Sequence, residues 1–151
     1  MAKKTEKKPK VRKNKEVILV IDDEEVIRDT LGRILQRRGF SVISAKDGEE
    51  GLYQIMNNKV QIVFCDIMMP KINGLEFLRC VHEYNSSVEV VMITGYSTLD
   101  NCIESVEKGA CGYLTKPFQI SEIFESINKA RRNIREKKEI IRRTLDSSKG
   151  K

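Results

Sequence analysis

Val17-Ile18-Leu19-Val20-Ile21 is a run of five residues with no polar side chain and no apolar–polar alternation. Alternation marks a strand with one wet face; its absence marks a strand covered on both, as in a parallel sheet. Residues 61–65 and 88–93 repeat this β-branched, apolar character, and shorter strands are predicted at 40–44 and 112–114. Amphipathic helices fit between them. The first carries Val26, Ile27, Leu31, Ile34 and Leu35 on one face and stops at Gly39. The second, about 47–57, carries Leu52, Ile55 and Met56; the others cover about 74–84 and 98–108, with Gly109 closing the latter. Ser121 is the predicted cap of the last helix. Strands alternating with helices through short connections make an α/β protein, a parallel sheet with helices on both faces and right-handed crossovers.

In such a sheet, ligands bind beyond the carboxyl ends of the strands. Asp22-Asp23, Asp66, Thr94 and Lys116 stand at four of those ends and should converge on one rim. Three carboxylates packed together repel, and hard oxygen donors in an incomplete cage suit Mg²⁺. Asp66, held rigidly after an apolar strand, has the chemistry of a nucleophile towards phosphorus. A cation beside it, Lys116 and the Thr94 hydroxyl would meet the phosphoryl oxygens. Each residue alone has a plainer use: Asp22 or Asp66 as a cap, Thr94 bonding a loop amide, Lys116 solvated. Their joint occurrence at four strand ends favours the site. Lys116 precedes Pro117, the setting in which a cis bond is common enough to turn a lysine inward, although trans is the default.

Val-Ile-Asp-Asp-Glu at 20–24, Asp-Ile-Met-Met-Pro at 66–70, Gly74, Ile-Thr-Gly-Tyr at 93–96 and Tyr-Leu-Thr-Lys-Pro-Phe at 113–118 occur in this order. With that spacing, residues 17–130 resemble the receiver domain of two-component response regulators. The resemblance implies a flavodoxin-like five-stranded sheet of order 2-1-3-4-5. It makes Asp66 the phosphoacceptor, Asp23 a direct Mg²⁺ ligand, Asp22 a ligand largely through water, and the Met68 carbonyl a further ligand. Thr94 and Lys116 would contact the phosphoryl group, and Tyr113 would be the aromatic switch that turns inward as Thr94 moves. Met68 and Tyr96 occupy the two rim positions that tune the lifetime of the acyl phosphate, and neither can activate water, so slow autodephosphorylation is expected. The implied donor is a sensor histidine kinase or phosphotransfer protein, or a small acyl phosphate. The output would be a protein target, or a second copy, bound through the fourth helix and fifth strand. Such a chain catalyses its own phosphorylation and is not a turnover enzyme. Haloacid-dehalogenase-type phosphatases use a similar kit, but carry the nucleophile on the first strand and a general acid two residues later, where this chain has Met68.

The charge divides the chain. Residues 1–16 hold eight Lys/Arg and two Glu, and residues 129–151 hold ten Lys/Arg and three Asp/Glu, so both ends are basic although the whole chain is only +6. The first stretch reads as a disordered arm. The acidic centre is a poor surface for a phosphate backbone, and nucleic-acid binding by this chain alone is not expected. No run approaches the ~20 apolar residues of a membrane span. Four cysteines without Cys-x-x-Cys spacing, and a single histidine, His82, fit no familiar zinc site and point to a reduced, cytoplasmic protein.

No Pro or Gly interrupts 121–148, so the last helix should run past the usual end of such a domain, making 131–151 a basic extension. Ile120, Ile127, Ile134 and Ile141 recur every seven residues, with Phe124 and Leu145 beside them. The first half of the stripe should pack on the sheet; beyond Ala130, Ile134, Ile140, Ile141 and Leu145 need another partner. A coiled-coil dimer, fraying and continuation into a further domain all remain open, because Arg131 and Lys138 fall in the seam. A larger DNA-binding transcriptional regulator, of which this would be the N-terminal receiver fragment, is the alternative reading.

Overall fold

The computed structural model describes residues 15–149; apart from Lys15 and Glu16, the arm assigned to 1–16 lies outside the described residues. Five strands, β1 (Val17–Ile21), β2 (Ser41–Ala45), β3 (Ile62–Asp66), β4 (Glu89–Thr94) and β5 (Gly112–Thr115), form one sheet. All neighbours are parallel and the order is β2-β1-β3-β4-β5, as the resemblance implied. The helices are α1 (Glu25–Arg37), α2 (Gly48–Asn57), α3 (Gly74–Tyr84), α4 (Leu99–Glu107) and α5 (Ile120–Lys149).

The continuous apolar runs do what their lack of alternation demands. Leu19 and Ile21 of β1 join Val63, Cys65, Val90 and Met92 in one core layer with Phe77, Leu78 and Val81 of α3. Ile18 and Val20 point the other way, to Leu31 and Leu35 of α1 and Ile123, Ile127 and Ala130 of α5. Burying each large side chain contributes about 1.5–3 kcal/mol, so β1, β3 and β4 cannot slip by one residue without reversing both layers. Asp47, Asn73 and Thr98 cap α2, α3 and α4, each accepting from the backbone N–H three residues on, at 2.8, 2.9 and 3.1 Å.

Several details differ from the sequence reading. β2, β3 and β4 each lie one residue later than predicted, which brings Asp66 and Thr94 into the strands themselves. Ser121 does not cap α5: the helix begins at Ile120 and Ser121 lies within its first turn. Val26 is 73% exposed, and Met56 and Ile120 are also exposed, because all three sit in end turns that overhang the sheet. Gly39 and Gly109 do stop α1 and α4, with φ of +91° and +92°. Gly109 has a second reason to lack a side chain, since a Cβ there would lie 2.6 Å from Cε1 of His82.

α5 stays docked beyond Ala130. Arg131 makes a bidentate pair with Glu16, at 2.9 and 2.6 Å, and stacks over the Phe40 ring. Ile134 packs on the α1/α5 side of the core. Glu89, 3% exposed at the start of β4, accepts from Asn133 at 3.2 Å and from Lys137 at 2.7 Å, and Lys137 also donates to the Ser86 carbonyl. Beyond Lys137 the side-chain hydrogen bonds of α5 are internal to the helix, and Ile140, Ile141 and Leu145 are exposed.

Gly74 opens α3 against the end of β3. A Cβ there would collide with the Asp66 carbonyl oxygen and stand 2.8 Å from the Ile67 Cα, both backbone atoms that cannot swing aside. Gly74→Ala should therefore cost about 1–3 kcal/mol in chemical denaturation. A cost below 0.5 kcal/mol would mean the β3–α3 connection is slack.

Candidate functional site

The parallel order brings the carboxyl ends of β1, β3, β4 and β5 to one edge, and each end delivers a polar group. Asp22 and Asp23 occupy the bend between β1 and α1, Asp66 and Thr94 are the last residues of β3 and β4, and Lys116 follows β5. The Lys116-Pro117 bond is cis.

Lys116 is the centre of the cluster. Its Nζ lies 2.6 Å from Asp22 Oδ2 and 3.1 Å from Asp66 Oδ2, with Glu24 further off at 3.9 Å. Asp22 and Asp66 are 2% and 5% exposed, so the ammonium joins two nearly dry carboxylates. Burial pushes the Asp66 carboxyl up; the Lys116 hydrogen bond and charge oppose this, and the Asp22 charge adds to it. Burial would pull Lys116 down, but its hydrogen bonds to Asp22 and Asp66 carry it above the ordinary lysine range. Both carboxylates are fixed from the backbone side as well. Asp22 Oδ1 accepts from the Glu24 N–H at 2.9 Å, and Asp66 Oδ1 from the Met68 N–H at 3.1 Å.

Ligand oxygens of Asp22, Asp23 and Asp66 all lie within 4.8 Å of one another. One ammonium faces three carboxylates, and Asp23 is open to solvent, which is the donor set of a hard divalent cation that keeps part of its water. Thr94 is wholly buried; its Oγ1 accepts from the Tyr96 N–H at 3.1 Å and its carbonyl from the Lys116 N–H at 2.8 Å. Thr94 and Lys116 are thus tied to each other through the backbone. Met68 and Tyr96, predicted rim residues, are 57% and 66% exposed.

Tyr113 is not in the cluster. It pairs with Met92 in the β4–β5 register and its ring packs on the α2/α3 side of the core. Its hydroxyl is buried without a hydrogen-bond partner. The sequence reading missed Arg28, whose Nη1 donates to the Asp22 carbonyl at 2.6 Å. The one signal for it is a basic residue in an otherwise acidic opening of α1.

Residues 18–128 match the family described as the response regulator receiver domain. The chain belongs to that family. This receiver is 36% identical over 106 residues to the response regulator MprA of a Mycobacterium species, covering 70% of the chain and 46% of that protein. It is 34% identical over 110 residues to the transcriptional regulatory protein DltR of Streptococcus agalactiae, covering 73% and 49%. The chain therefore spans about half the length of the curated relatives it matches. Among solved structures, a CheY-like receiver from Methanospirillum hungatei superposes with a TM-score of 0.77 at 31% identity, covering 82% of this chain and 99% of that one. A receiver from Clostridium thermocellum gives 0.73 at 33% identity, covering 83% and 98%. Among the described residues no helix is long and apolar enough to cross a membrane.

Crowded like charges make a testable balance. In a chelator, Asp23→Asn should raise the melting temperature by about 2–4 °C, since it removes repulsion without opening the core. With Mg²⁺ in millimolar excess the parent should gain stability and the variant much less. A variant that gains as much as the parent would place the ion elsewhere.

Proposed function

We propose that this receiver is a phosphorylation-controlled switch that takes a phosphoryl group on Asp66. The observation that carries the reading is Lys116 bridging Asp22 and Asp66 beside the buried Thr94. In the transfer, an Asp66 carboxylate oxygen attacks phosphorus as the P–N bond of a kinase phosphohistidine breaks, or the P–O bond of a small acyl phosphate. The leaving imidazole keeps the bonding pair and is reprotonated from solvent. Lys116 supplies positive charge to the phosphoryl oxygens and Thr94 a hydroxyl donor. Mg²⁺, held by Asp22, Asp23, Asp66 and the Met68 carbonyl, would neutralise the charge that the phosphate brings to three acids.

The switch follows from what the new group attracts. Phosphorylation adds charge and three acceptor oxygens at Asp66, and the Thr94 hydroxyl, which accepts from the Tyr96 N–H, would be the donor that reorients towards them. Tyr113 packs its ring on the core but leaves its buried hydroxyl without a partner, a cost that a second position of the side chain would relieve. Together they would bias pre-existing states of α4 and β5. α4 suits such a role, because Ser105 is its one fully buried residue while Leu99, Ile103 and Val106 face outward as an apolar stripe. A protein target, or a second copy of the chain, is the natural cover for that stripe.

The alternative, a receiver part of a larger DNA-binding transcriptional regulator, is favoured by the share of the relatives that is matched, 46–49%. The size of the native protein in cell extract, read with an antibody to residues 17–130, decides between the two.

Intact mass after incubation with acetyl phosphate and Mg²⁺ should show one phosphoryl adduct, absent in Asp66→Asn and absent in a chelator. An adduct that persists in Asp66→Asn would move the phosphoacceptor. Since Met68 and Tyr96 cannot activate water, the adduct should last minutes or longer, and decay within seconds would contradict that role for the two residues.

A further inference from the structure

Glu16, the last residue of the first basic stretch, meets Arg131 of the second, more than a hundred residues away in the chain. Strands run from the end of the molecule where Glu16 enters β1 towards the acidic rim, and α5 runs back from that rim. The bidentate Glu16–Arg131 pair joins the two. The described chain thus begins, and its longest helix leaves the sheet, at the same pole. The turns at this pole carry exposed Arg37, Arg38 and Lys59. Several of its acids are paired: Glu16 with Arg131, Glu89, buried, with Lys137, and Glu83 with Arg79, while Glu136 and Asp146 of α5 are exposed. Glu107 is exposed there. Residues 1–14, which precede this point, add seven Lys/Arg and one Glu by sequence.

On α5 itself Arg132, Arg135, Lys138, Arg142 and Arg143 are all exposed. At 100° per residue they fall on one side of the helix, and Arg132 to Arg143 cover about 16 Å of its axis. Over that length a nucleic-acid duplex presents about ten phosphate charges. Glu139 holds Arg142 and Arg143, but these are exposed intrahelical pairs that a phosphate displaces at little cost.

We propose that the protruding part of α5, with the basic pole around it, binds duplex nucleic acid through the phosphate backbone without reading sequence. The occupant is chosen by what accompanies the charge. Single strands are held by stacking on aromatic side chains, and residues 125–151 contain none. An anionic bilayer needs a broad apolar face, whereas the apolar residues left exposed beyond Lys137 are Ile140, Ile141 and Leu145, and Ile140 lies about 100° around the axis from Ile141. A second copy would bring like charge to like charge along this helix. The acidic centre that argues against nucleic acid in the sequence is divided by the fold: Asp22, Asp23 and Asp66 gather at the rim, away from the protruding part of α5, and Glu89 is buried with Lys137.

The test uses the full unphosphorylated chain and 30-base-pair DNA duplexes of two unrelated sequences, followed by fluorescence anisotropy. Equal affinity for both is expected, falling roughly 500-fold between 50 and 200 mM KCl for about five phosphate contacts. The variant Arg132→Gln, Arg135→Gln, Arg142→Gln and Arg143→Gln should bind at least about 50-fold more weakly at 50 mM KCl, with a salt slope near −1. Helical circular dichroism and a thermal unfolding midpoint like the parent's would show that this variant is folded. The proposal is overturned if neither duplex binds at 50 mM KCl, or if the variant binds as the parent does. It is equally overturned if a single strand of the same length, or vesicles of phosphatidylglycerol, bind more tightly than the duplex. None of these readouts depends on whether Asp66 accepts a phosphoryl group.

Discussion

The central strands leave this chain almost no room for polar side chains. β1, β3 and β4 are covered on both faces, so a charged group within them must be paired or moved to an end. Glu89 takes the first course, at the entry of β4, and Asp66 and Thr94 the second, at the exits of β3 and β4. The chemistry is concentrated at one edge because the layers refuse it everywhere else. Five parallel strands then guarantee that the edge is shared, since every crossover returns the chain to the same starting side.

At that edge the arrangement is unstable by composition and held by geometry. Asp22 and Asp66 would repel across a few ångströms were Lys116 not between them, and Asp23 adds a third acid open to water. Lys116 reaches its place from β5, the shortest strand, whose backbone is bonded to Thr94. Charge at Asp66, the position of Lys116 and the position of Thr94 are therefore not independent quantities. Tyr113, two residues before Thr115 on the same strand, buries a hydroxyl with no partner, which costs of order 1–3 kcal/mol.

The strands, their order of occurrence and the rim residues were readable because each is carried by local pattern: apolar runs, glycine stops and acids directly after a strand. Asp22, Asp23, Asp66, Thr94 and Lys116 all reached the predicted edge. Other features depend on which neighbour happens to be near. Leu99, Ile103 and Val106 have the spacing of a core stripe and face solvent, because α4 lies at the margin of the sheet and turns Ser105 inward instead. Val26 and Met56 keep a helix period but sit in overhanging turns. Arg28, reaching a main-chain carbonyl, leaves no periodic trace at all. Past Ala130 the helical pattern predicts no cover for the stripe, yet Ile134 packs on the core and Asn133 and Lys137 stay attached through a glutamate in a distant strand that no helical pattern announces.

That glutamate has a mechanical consequence. Glu89 and Thr94 are the two ends of one strand, so the anchor of α5 and the edge that would receive the phosphoryl group sit on a single short, stiff rod. About 18 Å of helix extends beyond the anchor at Lys137. Any tilt of β4 pivots that length like a boom on a gooseneck, and a rotation of roughly 10° sweeps the tip by about 3 Å. Displacements too small to notice within the sheet become, at the far end of α5, the size of an atom.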